Sequence, residues 1–229
     1  MSSAGSRQNP KKELLSHFAD VAKALGHAHR LELLEHIAQG ERGVEALARL
    51  ADLSVANASQ HLQQLHRAGL VAKRRDGQRS LYRLTDVAVI ELLSALRHIA
   101  ERNSAEAQRL VQSYFHERDG LDPLSRADLL ARLQTDAVVL LDVRPQDEFA
   151  IGHLPRAVNI PLPELENRLA ELPADQEIVA YCRGPHCVLS FEAVAALRKR
   201  GFTIHRLQDG YPEWKAAGLP VEGLKTEIA

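Results

Sequence analysis

Both cysteines of the 229-residue chain lie in one short segment, AYCRGPHCVLS, as Cys182 and Cys187. The apolar run EIVAYC, which is typical of a buried strand, leads into Cys182, and the pattern predicts a helix from Val188 onward. The segment RGPHC is therefore a loop between the carboxyl end of a strand and the amino end of a helix, where sites form in open α/β sheets. Backbone amides and the helix dipole stabilise an anion there, so the position favours the thiolate form of Cys182.

Two basic side chains in the same loop add positive charge beside this thiolate. Cys182 is the candidate nucleophile, and Arg183, His186 and Cys187 complete the candidate catalytic set. Cys187 has two open interpretations: a second thiol that attacks a modified Cys182, or a small apolar side chain that packs against the following helix. A direct bridge requires the two Cα atoms to lie within about 7 Å. A plainer alternative for both residues is a pair of buried structural cysteines.

The elements that must position this loop divide the chain into two parts. Residues 1–121 carry 17 basic and 14 acidic side chains, a net +3, whereas residues 122–229 carry 12 and 16, a net −4. A chain of this length suits two domains of about 100 residues each. Helical periodicity dominates before the segment RDGLDP, residues 118–123, and strands alternate with helices after it. The predicted domains are residues 11–118 and 123–222.

Composition limits the compartment and the class of protein. The longest apolar runs fall short of the roughly 20 residues that a membrane span needs. The start of the chain, MSSAGSRQNPKKELL, has no apolar segment of the kind found in signal peptides. Two cysteines are too few for a disulfide framework. We therefore expect a cytoplasmic protein with no membrane partner, in which a close cysteine pair indicates redox or sulfur chemistry.

The first part has the pattern of a DNA-binding unit. Two short helices, GVEALARL and SVANASQHLQQLHR, are separated by only residues 51–53, and Ser54 is a natural N-cap for the second. Two short strands around Asp76 and Gly77 then give a strong hairpin signal. A long helix is predicted from Asp86 to about Glu117. This order predicts a mainly α winged helix-turn-helix domain with a β-hairpin wing.

Polar side chains on the second short helix and on the hairpin are the candidate DNA contacts. A helix fits the major groove, and its first exposed side chains reach base edges, whereas Leu62 and Leu65 must pack inward. Lys and Arg side chains on a hairpin can neutralise phosphates. The alternative is a solvated basic hairpin without a nucleic-acid role. The candidate DNA-binding residues are Ser54, Asn57, Ser59, Gln60, His61, Lys73, Arg74, Arg75 and Arg79.

Residues 18–86 resemble the ArsR/SmtB family of winged-helix repressors. The most specific part is SQHLQQLHRAGLV followed by RRDGQRSLYRL. The resemblance implies a double-stranded DNA operator as partner. It also implies a homodimer formed through roughly residues 11–25 and 87–117, where long amphipathic stretches fit such a role.

The metal sites known in that family are absent or incomplete in this chain. The segment GVEALARLADLS contains no cysteine where a thiolate site would begin. Asp86, His98 and Glu101 match part of a second pattern, but Ala88 stands where a histidine is expected. We therefore expect no metal site and no cofactor.

The second part resembles the rhodanese family over residues 123–222. Three blocks in order carry the resemblance: LLDVRPQDEFAIGHLPRAVNIPL, YCRGPHCVLS and LQDGYPEWKAAGLPV. The resemblance implies an α/β domain with a small parallel sheet flanked by helices, and a Cys182 that accepts sulfane sulfur as a persulfide. Phosphatase and arsenate-reductase relatives carry an Arg six residues after the nucleophile, where this chain has Val188, so the loop is the shorter sulfur-transfer type. The family often ends this loop with Arg and then Ser, for which Cys187 and Val188 stand here.

Together these features predict a DNA-binding transcriptional regulator, with repression as the expected direction. Its rhodanese-like domain would sense or handle a sulfane sulfur donor, or another thiol-reactive small molecule, through Cys182. The alternative is a thiosulfate or persulfide sulfurtransferase with an accessory DNA-binding domain. A third interpretation is a rhodanese-like scaffold without turnover. The presence of Cys182 argues against it, because such inactive domains typically lack the nucleophile.

Overall fold

The computed structural model describes residues 9–116, 123–136, 138–173 and 175–223. The chain divides into two compact units, residues 1–89 and 90–229. The domain boundary predicted at residues 118–123 falls almost entirely outside the described residues and stays a prediction.

The first unit is mainly helical and carries a three-stranded antiparallel sheet. Strand β3 pairs with β1 on one side and with β2 on the other, and β2 and β3 form the predicted hairpin. Gly77, in the tight turn between them, has a φ of 59°, a conformation that favours glycine. The elements are α1 (Pro10–Leu25), α2 (Ala28–Ala38), β1 (Arg42–Gly43), α3 (Val44–Leu50), α4 (Val55–Arg67), β2 (Val71–Asp76) and β3 (Arg79–Leu84).

Local signals and one buried side chain fix helix α4 in this unit. Ser54 caps α4, since its Oγ accepts a hydrogen bond from the backbone N of Asn57 at 3.2 Å. Leu62 and Leu65 are fully buried, which confirms that this face of α4 packs inward. The buried Arg30 donates to the Ala24 carbonyl at 2.5 Å and to the side chain of Gln64, so it ties the end of α1 to α4.

The single long helix predicted from Asp86 is divided in the structure. Helix α5 (Ala88–Asn103) ends before Ser104, and helix α6 (Ala105–Leu110) continues into a π-helical turn, Val111–His116. Ser104 Oγ accepts a hydrogen bond from the backbone N of Ala107 at 3.2 Å and so acts as the N-cap of α6. A serine hydroxyl that bonds local backbone competes with an unbroken helix, and the apolar periodicity conceals this.

The second unit contains the predicted small parallel sheet flanked by helices. The strand order is β5-β4-β6-β7, and every pair is parallel. Two 3₁₀ turns, Leu162–Asn167 and Leu169–Glu171, lie between β5 and β6. The regular elements are α7 (Arg126–Leu133), β4 (Val138–Asp142), α8 (Gln146–Ile151), β5 (Val158–Asn159), β6 (Glu177–Tyr181), α9 (Val188–Lys199), β7 (Ile204–Arg206) and α10 (Tyr211–Ala216).

The side chains of β6 alternate between two hydrophobic clusters, as the period of two in a strand requires. Ile178, Ala180 and then Cys182 belong to the cluster that includes apolar side chains of α9. Val179 and Tyr181 belong to the other cluster, which contains Trp214. No described helix combines the length and the apolar character that crossing a lipid bilayer would require.

Candidate functional site

The loop between β6 and α9 brings the two cysteines together. The structure pairs Cys182 with Cys187 in a disulfide, with the Cα atoms 6.2 Å apart, inside the range that a disulfide allows. Cys182 is only 1% exposed, whereas Cys187 is half-buried and occupies the N-cap position of α9. The backbone N of Cys187 donates to the Gly184 carbonyl at 3.2 Å, which curls the loop. The bridge that the sequence left open is therefore compatible with this backbone.

The turn at Gly210 and Tyr211, in the same unit, packs against the cysteine loop. The backbone N of Tyr211 donates to the Cys182 carbonyl at 3.0 Å. A β-carbon on Gly210 would collide with the backbone of Arg183 and Gly184, so only glycine lets the turn lie this close. The mostly buried Arg206 donates to the Pro185 carbonyl at 3.2 Å. The loop backbone is thus held at Cys182 and at Pro185.

The two basic loop residues are each held by a carboxylate. Arg183 Nε and Nη2 donate to the fully buried Glu148, with its Oε2 and Oε1 respectively, at 2.9 Å each. His186 Nε2 lies 3.4 Å from Oε1 of Glu101, a residue of α5. The structure therefore directs the Arg183 charge toward Glu148, and the predicted role of Arg183 and His186 at a thiolate stays a prediction.

The loop also contacts side chains that the sequence analysis did not select. Arg97 Nη2 donates to Oε1 of Glu213 at 2.6 Å, and Oε2 of Glu213 accepts from the backbone N of Gly210 at 3.1 Å. Glu213 lies within the third rhodanese-like block, which was a signal available in the sequence. Arg97 and Glu101 carry no such signal, because their partners lie more than 80 residues away.

The first rhodanese-like block includes the carboxyl end of β4, the strand that pairs with β6. The fully buried Arg144 and Asp142 form an ion pair with Nη2 and Oδ2 2.6 Å apart, and Arg144 also donates to the Gly152 carbonyl at 2.8 Å. Asn159 Nδ2 donates to the carbonyls of both Asp142 and Arg144 at 2.9 Å. A buried ion pair needs such additional bonds to offset its desolvation, and these bonds fix the backbone at the end of β4.

Helix α4 presents the residues predicted to read DNA. Asn57 and Gln60 are exposed, Ser59 and His61 are half-buried, and Ser54 is exposed with its hydroxyl engaged as the N-cap. Burial lowers the pKa of His61, and the neighbouring His27, Arg30 and His29 lower it further. The lowered pKa keeps His61 mostly neutral at pH 7, so we expect any contact that it makes with DNA to be a hydrogen bond rather than a charge interaction.

The wing carries the predicted phosphate contacts on exposed positions. Lys73, Arg74, Arg75 and Arg79 are all exposed on β2 and β3. Arg74 is already engaged, since its Nε donates to Oε1 of Glu41 at 2.9 Å. A phosphate would therefore compete with Glu41 for Arg74.

The three residues that match part of a metal-site pattern, Asp86, His98 and Glu101, have other surroundings in the structure. Asp86 Oδ1 accepts from the backbone N of Ala88 at 2.8 Å and caps the start of α5. Glu101 contacts His186, and His98 is exposed. Within the described residues, no three His, Cys, Asp or Glu side chains are arranged to hold a metal ion.

Comparisons with known families agree with the two units. Residues 25–74 match a helix-turn-helix domain family and residues 125–217 match the rhodanese-like domain family. Both resemblances inferred from the sequence are thus confirmed, and they define a winged helix-turn-helix transcriptional regulator with an appended rhodanese-like domain. The HTH-type transcriptional regulator Rv0324 of Mycobacterium tuberculosis is 42% identical over 212 residues, which cover 93% of each chain. The chain belongs to this family of HTH-type transcriptional regulators.

Two further relatives each match one part of the chain. A sulfurtransferase of Allochromatium vinosum is 34% identical over 88 residues, 38% of this chain and 80% of that protein. The homodimeric winged helix-turn-helix DNA-binding domain of a possible ArsR-family regulator from Mycobacterium bovis is 37% identical, with a TM-score of 0.40. That match covers 46% of this chain and 95% of the solved domain.

Proposed function

We propose that this regulator is a cytoplasmic homodimer that binds a DNA operator and responds to sulfane sulfur through Cys182 and Cys187. The observation that carries the proposal is the pairing of the two cysteines in the strand–loop–helix segment of the rhodanese-like unit. Helix α9 has 12 residues, and its amino end, where Cys187 is the N-cap, favours a thiolate in the reduced loop.

The proposed chemistry has two balanced steps. The Cys182 thiolate attacks the terminal sulfur of a hydropersulfide, RSSH; the S–S bond of the donor breaks, RSH leaves, and Cys182 carries a persulfide. The Cys187 thiolate then attacks Sγ of Cys182 and expels the added sulfur as hydrogen sulfide. In sum, the two protein thiols are oxidised to a disulfide, and RSSH is reduced to RSH and H₂S.

A second candidate function is sulfur transfer to an external acceptor, as the name of the Allochromatium relative suggests. Two observations favour the sensor. Arg183 and His186 are engaged by Glu148 and Glu101, which lowers the attraction of the loop for an anion such as thiosulfate. Cys187 also lies close enough to Cys182 to consume the persulfide before an external acceptor can. Rapid turnover of thiosulfate by the wild type would favour the enzyme.

DNA binding with and without a donor tests the proposal. The reduced protein is used to select a duplex from a random-sequence library, and its Kd for that duplex is measured before and after treatment with inorganic polysulfide. We expect the Kd to change by about tenfold or more, which corresponds to a coupling of about 1.4 kcal/mol. If the Cys182–Cys187 bridge forms quantitatively and the Kd stays the same, the sensor proposal is wrong.

The homodimer is supported by exposed apolar rows on two helices. Leu14, Leu15 and Phe18 of α1 are 52%, 52% and 58% exposed, and Ile99 of α5 is 62% exposed. Exposed apolar rows on helices of this size are typical of surfaces that bury against a partner.

Replacing Phe18 with Glu should therefore convert the dimer to a monomer, because a charge buried in an apolar interface lacks a partner. Sedimentation equilibrium measures the mass of the species in solution. Val221→Glu is the matched control, since Val221 is an exposed apolar residue of the second unit, 40% exposed, outside both rows. A Phe18→Glu protein that remains dimeric would exclude this face of α1 from the interface.

A further inference from the structure

Helix α5 contacts the cysteine loop at one point and the adjacent helix α10 at another, both within the second unit. Glu101 Oε1 lies 3.4 Å from Nε2 of His186, and Arg97 Nη2 lies 2.6 Å from Oε1 of Glu213. Positions 97 and 101 are four residues apart, so they share one face of α5. That face therefore lies against the segment that carries the chemistry.

The Arg97 contact reaches the backbone of Cys182 in few steps. Glu213 accepts from the backbone N of Gly210, and the next residue, Tyr211, donates its backbone N to the Cys182 carbonyl. A β-carbon on Gly184 would lie 3.4 Å from Nη1 of Arg97, so this guanidinium lies beside the loop at Gly184. The Arg97 and Glu213 side chains are 22% and 10% exposed, so solvent screens their attraction less than that of a surface pair.

The Glu101 contact falls between the two cysteines in sequence. His186 precedes Cys187 directly, so we expect formation or opening of the bridge to move the backbone that carries the imidazole. Cys182 is 1% exposed, and a sulfur atom added there must displace packed neighbours in the loop. The positions of Gly184 and His186 relative to α5 therefore depend on the chemical state of the cysteines.

We propose that Arg97 and Glu101 are positioning residues that couple the state of the Cys182–Cys187 loop to helix α5, and that α5 is the element through which this state changes DNA affinity. The inference rests on the proposed function. Only three residues separate the end of the wing strand β3 at Leu84 from the start of α5 at Ala88, so a shift of α5 acts on the chain that leads directly from the wing. A ligand shifts such an equilibrium only by its different contacts in the two states, and we expect the contacts of Arg97 and Glu101 to be the ones that differ.

The test uses full-length protein with Glu101→Gln and Arg97→Gln, singly and together. Each protein is treated with inorganic polysulfide, the bridge is quantified by mass spectrometry, and the Kd for the selected duplex is measured before and after. We expect the bridge to form to the wild-type extent, and we expect the ratio of the two Kd values to fall to within about twofold of one in the double variant. Glu101→Asp and Arg97→Lys keep the charges and should restore part of the ratio.

Glu106→Gln is the matched control on the neighbouring helix α6. Glu106 forms an exposed pair with Arg109 at 3.8 Å, so its loss should leave the wild-type ratio unchanged. Linkage supplies a readout that loss of stability alone would not move. The selected duplex should shift the dithiol–disulfide equilibrium of the wild type in a buffer of reduced and oxidised dithiothreitol, and it should not do so in the double variant.

The outcomes separate this inference from the function on which it rests. A double variant that is folded, forms the bridge and keeps the wild-type Kd ratio overturns the coupling role while leaving the sensor in place. Each single variant loses only one of the two contacts. If the double variant misfolds, Glu101→Gln alone decides the question, and we expect it to reduce the ratio of the two Kd values. A wild-type protein whose Kd ignores polysulfide overturns the proposed function and this inference together.

Discussion

Cys182→Ser is expected to abolish both the sulfur adduct and the change in DNA affinity. A serine hydroxyl at this position cannot replace the thiolate, and only the thiolate attacks a sulfane sulfur atom. After treatment with polysulfide, intact-mass analysis should show no added sulfur on the variant, and its Kd for the selected duplex should stay at the value of the reduced protein. If the variant still gains sulfur at Cys187 as fast as the wild type gains it, Cys182 is not the nucleophile.

Cys187→Ser is the matched variant for the second step. It should keep the persulfide on Cys182, visible as the mass of one additional sulfur, because the thiol that expels this sulfur is missing. The wild type should instead lose two hydrogens as the bridge closes. Much of the DNA response should be lost in Cys187→Ser, and equal responses in the two proteins would reduce Cys187 to a packing residue.

The second large effect is expected at the wing. Replacing both Arg75 and Arg79 with Ala should weaken binding to all DNA sequences and lower the slope of log K against log salt concentration by about 2, because each phosphate contact contributes about 0.9. Fluorescence anisotropy over a salt series measures this slope. Arg156 and Arg200, both exposed in the second unit, form the control pair, since replacing them by Ala removes the same charge.

Two single variants refine the interface. Arg74→Ala should weaken DNA binding less than Arg75→Ala does, because Glu41 already holds the Arg74 guanidinium.

Gln60→Ala should alter the preference among DNA sequences while leaving the salt slope unchanged, as expected of a base contact. An unchanged slope in the Arg75/Arg79 double variant would show that the hairpin does not contact phosphates.

The sequence predicted the elements that depend on local chemistry. Ser54 as a cap, Gly77 in the hairpin and the strand-to-helix passage around Cys182 follow from residues within a few positions of each other, and the structure places them accordingly. The break in the long helix was missed, because the hydroxyl of Ser104 acts against an otherwise continuous apolar pattern.

The sequence did not predict which carboxylates pair with the charged residues of the site. Arg183 was selected as a cation beside the thiolate, but its carboxylate partner, Glu148, lies 35 residues earlier on another element. Arg97 meets Glu213 across 116 residues. Such pairs form only when packing brings distant elements together, and hydrophobic periodicity carries no information about which charges then meet.

The burial of Cys182 has a consequence for discrimination among oxidants. Because Cys182 is 1% exposed and packed into a hydrophobic cluster, one added sulfur atom displaces its neighbours far less than a tripeptide would. Attack on a hydropersulfide leaves only one sulfur atom on the protein, and the bulky remainder of the donor departs as the leaving group. Attack on oxidised glutathione would release one reduced glutathione and leave the other tripeptide bound to Cys182, where the packed cluster opposes it. The packing around Cys182 would thus select among oxidants by the size of the group that each leaves on the sulfur, independently of how strongly each oxidant reacts.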